Sequence, residues 1–348
     1  MAGAHGELTG VMLMAAYHAD KGNTKTKIIV PDSAHGTNPA SAGIAGFDVV
    51  GIPSKDGIVD PTALEKVLDD DVAGMMMTCP NTLGLFERNL GTIVDMLHAR
   101  DALLYYDGAN LNAIMGKMRV GDVGFDVVHL NLHKTFATPH GGGGPGSGPV
   151  GVSPRLEPYL PVSRVVKLDD GQFFLKYDYP KTIGYIAPFY GNFAIVLRAY
   201  VYILMAGREG LERISENAVL NANYIKEKLK DYYDIPYPRT CKHECVLSAT
   251  RQLKHGVHAI DLAKGLIDAG YHPPTMYFPL IVHDALMIEP TETESLASVD
   301  DYADALLKIA EEAQTDPDLL HDAPHTAPVK RLDEVGAARN PVLRHATD

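Results

Sequence analysis

Short apolar, β-branched runs alternate with helix-period segments along the first two thirds of the chain, the pattern of a parallel sheet covered by helices on both faces. The runs predict strands over residues 27–30, 73–78, 102–106, 127–132 and 149–152, each followed by turn chemistry. Residues 7–19 are apolar nearly all round and predict a buried helix, entered through the turn Gly3-Ala4-His5-Gly6. A helical pattern then runs from Phe193 to about Leu229, broken between Gly207 and Gly210. Beyond it, strands over 245–247, 276–280 and 285–288 mix with amphipathic helices over 259–269 and 299–313, which suggests a small α+β unit. After Pro317 the chain is polar and proline-containing and is expected to be extended. The expected division is a large domain over 1–207, a linking helix with a small domain over 208–330, and a tail over 331–348.

Composition narrows the function classes. At 348 residues with 46% hydrophobic and 22% charged positions, the chain is an ordinary globular protein. A formal charge of −13 speaks against a nucleic-acid partner, which needs clustered Lys and Arg. Three cysteines, Cys79, Cys241 and Cys245, do not make a disulfide framework, so a reducing compartment, the cytosol, is expected. No run approaches the roughly 20 apolar residues that span a bilayer, so no membrane partner is expected.

Candidate chemistry gathers at predicted strand ends, where ligands sit in open α/β sheets. Asp107 opens the segment Asp107-Gly108-Ala109-Asn110, and Lys134 follows 27 positions later at the end of the next predicted strand. A lysine and an acid in one crevice suit pyridoxal phosphate: the lysine forms a Schiff base, and the carboxylate keeps the pyridine nitrogen protonated. Alone, the pair is also compatible with a turn-forming Asp and a solvated Lys. Lys134 precedes the glycine-rich run 141–149, where close approach of the backbone to a ligand or a neighbouring subunit is expected. His35, among small residues in Ser33-Ala34-His35-Gly36-Thr37-Asn38, has a flat ring that could stack on an aromatic cofactor or be an ordinary core histidine. A metal held by His129 and His133 is disfavoured, because four strand residues span roughly 13 Å. The trio Cys241, His243 and Cys245 meets the same objection.

These motifs, with residues 220–224 and 287–292, resemble the P-protein of the glycine cleavage system in order along nearly the whole chain. Residues 331–335 and 340–344 resemble the cofactor-bearing second subunit of its two-subunit form. The resemblance implies the aspartate-aminotransferase-like fold, fold type I of the pyridoxal-phosphate enzymes. It implies that Lys134 carries the cofactor, Asp107 pairs with the pyridine nitrogen and His35 stacks on the ring. Ala4 and His5, in the entering turn, would face the phosphate with His133 as helper, and Asn81 and Thr82 would lie near the ring hydroxyl. The implied reaction is glycine decarboxylation with transfer of the aminomethyl group to the lipoyl group of the H-protein, in a heterotetramer with P-protein subunit 1. The family's second subunit carries a segment ahead of the phosphate turn, with a Cys-Thr-Met-Lys stretch, so an N-terminally shortened chain is expected. Two alternatives stay open: another fold type I enzyme, such as an aminotransferase or amino-acid decarboxylase, and a non-catalytic scaffold subunit.

Overall fold

The structure is a computed structural model and describes residues 2–34, 36–140, 146–187 and 189–344. In chain order its first elements are α1 (Gly3–Asp20), β1 (Lys27–Pro31), α2 (Thr37–Ile44), β2 (Asp48–Ile52), β3 (Ser54–Lys55), β4 (Ile58–Val59), α3 (Pro61–Val67), β5 (Val72–Thr78) and α4 (Leu90–His98). Next come β6 (Leu103–Gly108), β7 (Val127–Leu130), α5 (Leu132–Thr135), β8 (Val150–Val152), β9 (Arg164–Lys167), β10 (Phe173–Lys176) and α6 (Phe193–Leu229). The last are β11 (Cys245–Ser248), α7 (Ala259–Asp268), β12 (Thr275–Met276), β13 (Ala285–Ile288), α8 (Leu296–Thr315), α9 (Pro317–His321) and α10 (Glu334–Arg339).

The main sheet has the order β2-β1-β5-β6-β7-β8. Its β2, β1, β5, β6 and β7 pair in parallel, and β8 closes it antiparallel to β7. Strands β5 and β6 are buried along nearly their whole length because helices cover both faces, which is why they read as continuous apolar runs. One face packs under α1 with Val11, Leu13 and Met14, and the other under α3 and α4 with Leu64, Ile93 and Leu97. A second core, built from α6 through Ala222 and Leu229, α7 through Leu262 and α8 through Leu306, backs the antiparallel sheet β11-β13-β12.

The expected strands and helices of both sheets form, with five differences. The strand expected over 276–280 is confined to Thr275–Met276, because the chain turns at Tyr277, which has φ +56°. The helix α1 starts at Gly3, so the anticipated turn is its first turn. The strand expected to reach residue 132 stops at Leu130, and Lys134 therefore sits on the single-turn helix α5 rather than on a strand. Strands β2, β9 and β10 lie outside the expected strands; their Val-Val and Phe-Phe-Leu runs are short and sit at mostly half-buried or exposed positions. After Pro317 the chain forms α9 and α10 instead of staying extended; Leu320 enters the second core and Arg331 pairs with Asp261 at 2.7 Å. Within α6, Gly207 has φ +61° and ψ −176°, which breaks the helix inside the interval its sequence marked. Among the described residues, no helix is long and apolar enough to cross a membrane.

Candidate active site

The carboxyl ends of β6 and β7 lie side by side, with Asp107 opposite His129 and Gly108 opposite Leu130. Asp107 is 2% exposed and accepts from the Ala109 N–H at 3.0 Å and the Thr78 hydroxyl at 3.4 Å, with His129 Nε2 3.5 Å away. The Tyr105 hydroxyl lies 2.7 Å from the other ring nitrogen of His129, and burial holds that phenol well above its ordinary pKa, with the charges of Asp107 and Glu7 adding to the shift. The same hydroxyl donates to the Glu7 carbonyl at 3.3 Å, so Tyr105 ties the backbone of α1 to the imidazole that faces Asp107.

Lys134 is held on α5 by its N–H to the Asn131 carbonyl at 3.2 Å, and its side chain is exposed. The neighbouring Thr135 hydroxyl accepts the Leu111 N–H at 2.9 Å, so the lysine's turn is tied to the loop that follows Asp107. Glu7, on the second turn of α1, senses both groups. Burial pushes its carboxyl pKa up, Asp107 pushes it further, and Lys134 pulls it down. Glu7 is 4% exposed; Oε2 accepts from the Thr37 hydroxyl at 2.9 Å, while Oε1 is buried with no hydrogen-bond partner.

The first turn of α1 meets the same strand ends through contacts that only glycine allows. A Cβ on Gly3 would stand 1.5 Å from Asn131 Oδ1, one on Gly6 2.7 Å from the Gly148 carbonyl, and one on Gly148 2.6 Å from the Ala2 carbonyl. Ala4 and His5 are exposed there, and His5 also lines a cavity of about 480 Å³ with Ala2, Ser147, Arg164 and Tyr190. The His5 N–H already bonds the Ala2 carbonyl at 3.2 Å, while the Gly3 and Ala4 amides precede the intrahelical ladder and carry the positive end of the helix dipole.

His133, on α5, packs edge-on against His140 at 4.4 Å; burial lowers its pKa, and His140 and Lys134 lower it further. Asn81 and Thr82 spend their polar atoms on the scaffold. Asn81 donates to the Gly57 carbonyl at 2.6 Å and accepts the Leu83 and Leu85 amides, and Thr82 donates to the Ser33 carbonyl at 2.8 Å. His35 lies outside the described residues, as do 141–145 of the glycine run. The objection to a His129–His133 metal site rested on an extended strand that the chain leaves at Leu130. In the fold, His129 Nε2 faces Asp107 instead.

The comparisons with known proteins bear on this arrangement. The family described as glycine dehydrogenase, C-terminal domain, matches residues 214–325. The chain is 61% identical over 345 residues to the probable glycine dehydrogenase (decarboxylating) subunit 2 of Caldanaerobacter subterraneus subsp. tengcongensis, covering 99% of this chain and 71% of that protein. This chain belongs to the glycine dehydrogenase (decarboxylating) subunit 2 family. The protein of the same description from Listeria innocua is 58% identical over 346 residues, again covering 71% of its length. In three dimensions the chain resembles a glycine decarboxylase (P-protein) of the glycine cleavage system, with TM-score 0.72 at 18% identity over 88% of this chain and 70% of that one. A glutamate decarboxylase from Lactobacillus brevis gives TM-score 0.70 at 16% identity over 90% of this chain and 74% of that one. At such identity the likeness speaks to the fold, which is fold type I of the pyridoxal-phosphate enzymes.

The residues fit that cofactor. Besides Glu7 Oε1, the buried atoms Asn38 Oδ1 and Nδ2, Asn131 Oδ1 and His133 Nδ1 have no hydrogen-bond partner among the described residues. Buried polar groups are normally satisfied, so orphans around the strand ends and the first turn of α1 mark a place for a polar ligand. Glu7, Asn38 and Asn131 were missed as site residues in the sequence. Asn38 reads there as a helix cap and Glu7 disappears into an apolar helix; no local signal distinguishes either.

Proposed function

We propose that this chain is the cofactor-bearing subunit of the glycine-cleaving P-protein, decarboxylating glycine and passing the aminomethyl group to the lipoyl group of the H-protein. The observation that carries this reading is the 61% identity over almost the whole chain to a glycine dehydrogenase (decarboxylating) subunit 2. Lys134 would hold pyridoxal phosphate covalently through Nζ, Asp107 would face the pyridine nitrogen, and His35 would cover the ring. The Gly3 and Ala4 amides at the start of α1 would meet the phosphate, with His5 and His133 beside it. Asn81 and Thr82 contribute by pinning the loop after β5 to Ser33, at the start of the His35 segment.

When bound, the cofactor supplies a conjugated ring that accepts the electron pair left as carbon dioxide departs. The protein's part is positioning and charge. Asp107, backed by His129 and Tyr105, offers a fixed buried negative charge to a protonated ring nitrogen. Lys134, exposed on its short turn, is free to receive and return a proton at Nζ when glycine's amine takes its place.

The partners are P-protein subunit 1, expected in a heterotetramer, and the lipoylated H-protein. Exposed Phe193, Leu197, Tyr200 and Leu204 on the first half of α6 form an apolar face of the kind that another subunit covers. The free, buried cysteines agree with work in the cytosol.

The test is carbon dioxide exchange into the carboxyl group of glycine by the chain produced together with subunit 1, H-protein and the cofactor. Exchange, with Schiff-base absorbance that Lys134→Ala abolishes, is the expected result. Transamination of larger amino acids without glycine exchange would discard the proposal in favour of another fold type I activity, and absence of any absorbance would leave a scaffold subunit.

A further inference from the structure

Glu289 follows β13 in the C-terminal sheet, yet its carboxylate is held by the loop behind Asp107. Glu289 Oε1 accepts from Asn110 Nδ2 at 2.7 Å and from Asn112 Nδ2 at 3.4 Å. Leu111, between these asparagines, donates its N–H to Thr135, the neighbour of Lys134. One carboxylate therefore connects the second core, the loop after Asp107 and the turn that carries the lysine. No side chain in the Proposed function accounts for this link.

Beside Glu289 lie two buried ionisable groups. His243 Nε2 is 3.9 Å from Glu289 Oε1 and 3.9 Å from Glu244 Oε2, and the His243 and Glu244 side chains are 4% and 9% exposed. The three ligand atoms lie within 4.8 Å of one another, a spacing that invites a metal ion. Two observations favour a proton over a metal. Glu289 Oε1 is already taken by the two asparagine amides, and buried His243 Nδ1 lacks the partner that orients a ligating imidazole. The Glu244 carboxyl is pushed up to about 7, chiefly by burial; Glu289 pushes the same way, and His243, Lys134 and a hydrogen bond with the Gly84 backbone oppose it. The shift favours the protonated form of Glu244, which limits repulsion between it and Glu289.

We propose that Glu289 is a positioning residue for Lys134, clamping the Asn110–Asn112 loop and the α5 turn to the C-terminal sheet, with His243 and Glu244 packed beside its carboxylate. The proposal rests on the reading of Lys134 as the cofactor lysine. It requires that loosening Glu289 changes how the lysine is held before it changes whether the chain folds.

The test compares Glu289→Ala with the isosteric Glu289→Gln, which keeps an oxygen to accept from Asn110. Hydrogen exchange of the cofactor-free chain is expected to quicken about tenfold in segments 109–113 and 132–136 of Glu289→Ala, with β5 unaffected. In the chain loaded with pyridoxal phosphate, the dichroic band of the Lys134-bound chromophore is expected to fall by at least about half in Glu289→Ala and to recover in Glu289→Gln, with the absorbance itself retained. Unchanged exchange in both segments, or an increase shared equally by β5, would overturn the clamp. So would an unchanged dichroic band. Absence of Schiff-base absorbance in the unsubstituted chain would instead count against Lys134 as the cofactor lysine, and the exchange comparison would still decide whether Glu289 is a clamp. If Glu289→Ala fails to fold, Asn110→Asp decides through the same exchange measurement, because it replaces the amide donor that faces Glu289 and keeps the oxygen that accepts from the Asn112 N–H: quickening confined to the two segments supports the clamp, and no quickening refutes it.

Discussion

His129 Nε2 stands 3.5 Å from Asp107 Oδ1 on the adjacent strand, with both side chains almost wholly buried. The Tyr105 hydroxyl at 2.7 Å holds the far side of the imidazole, so Asp107 is backed by an imidazole that is itself held by a buried phenol. Truncating this backing is costly: His129→Ala leaves Tyr105 without its imidazole partner and empties space in the sheet. Expected is a loss of about 2–4 kcal/mol in urea-unfolding free energy. A loss below about 0.5 kcal/mol would show that the pair is not structurally coupled.

Asp107→Asn keeps the shape and removes the charge. Decarboxylation of glycine is expected to fall by at least about 100-fold. The midpoint of thermal unfolding should move little, and an active Asp107→Asn enzyme would remove Asp107 from its role at the ring nitrogen.

The first turn of α1 and the 146–148 segment approach so closely that neither has room for a methyl group. Gly148→Ala, whose Cβ meets the Ala2 carbonyl at 2.6 Å, must push α1 away from the strand ends. A loss of about 1–3 kcal/mol in stability is expected, together with weaker cofactor binding, measured by equilibrium dialysis. Unchanged affinity would separate the start of α1 from the phosphate site.

Glu244 makes stability depend on pH with a definite sign. Its folded carboxyl is raised from 4.5 to about 7, so the fold favours the protonated form. That contribution is complete below pH 4.5 and is lost as pH rises through about 7. Its span is on the order of 3 kcal/mol. Glu244→Gln should flatten the fall across this window in urea titrations of the cofactor-free chain, and a parallel pair of curves would refute the assignment.

Gly207 meets no heavy atom within 4 Å of an added Cβ, so only backbone strain opposes substitution there. With φ +61° and ψ −176°, Gly207→Ala is expected to cost about 1–3 kcal/mol or to straighten α6, visible as increased helical circular dichroism. Neither effect would mean that the break is not imposed by this residue.

Much of this molecule could be read from local pattern. The apolar runs of β1, β5, β6 and β7 are visible because a strand covered on both faces must be apolar throughout, and Asp107 and Lys134 are visible because strand-to-loop junctions interrupt those runs with polar residues. Strand β2 at the sheet edge and the exposed β9–β10 hairpin hold only short Val-Val or Phe-Phe-Leu runs broken by polar residues, since solvent on one side relaxes the demand for apolar side chains.

What the chain order alone determined was therefore the class of fold and the position of a candidate lysine and acid near strand ends, because both follow from neighbours within a few positions. Only the tertiary structure decided that the charge of Asp107 acts on Glu7, that His129 backs Asp107, and that Glu289 reaches Asn110 across 179 positions of sequence. Burial and charge pairing are properties of space. A glutamate on an apolar helix and one after a strand look alike in a linear text until folding gives one of them an unpartnered oxygen and the other two amides.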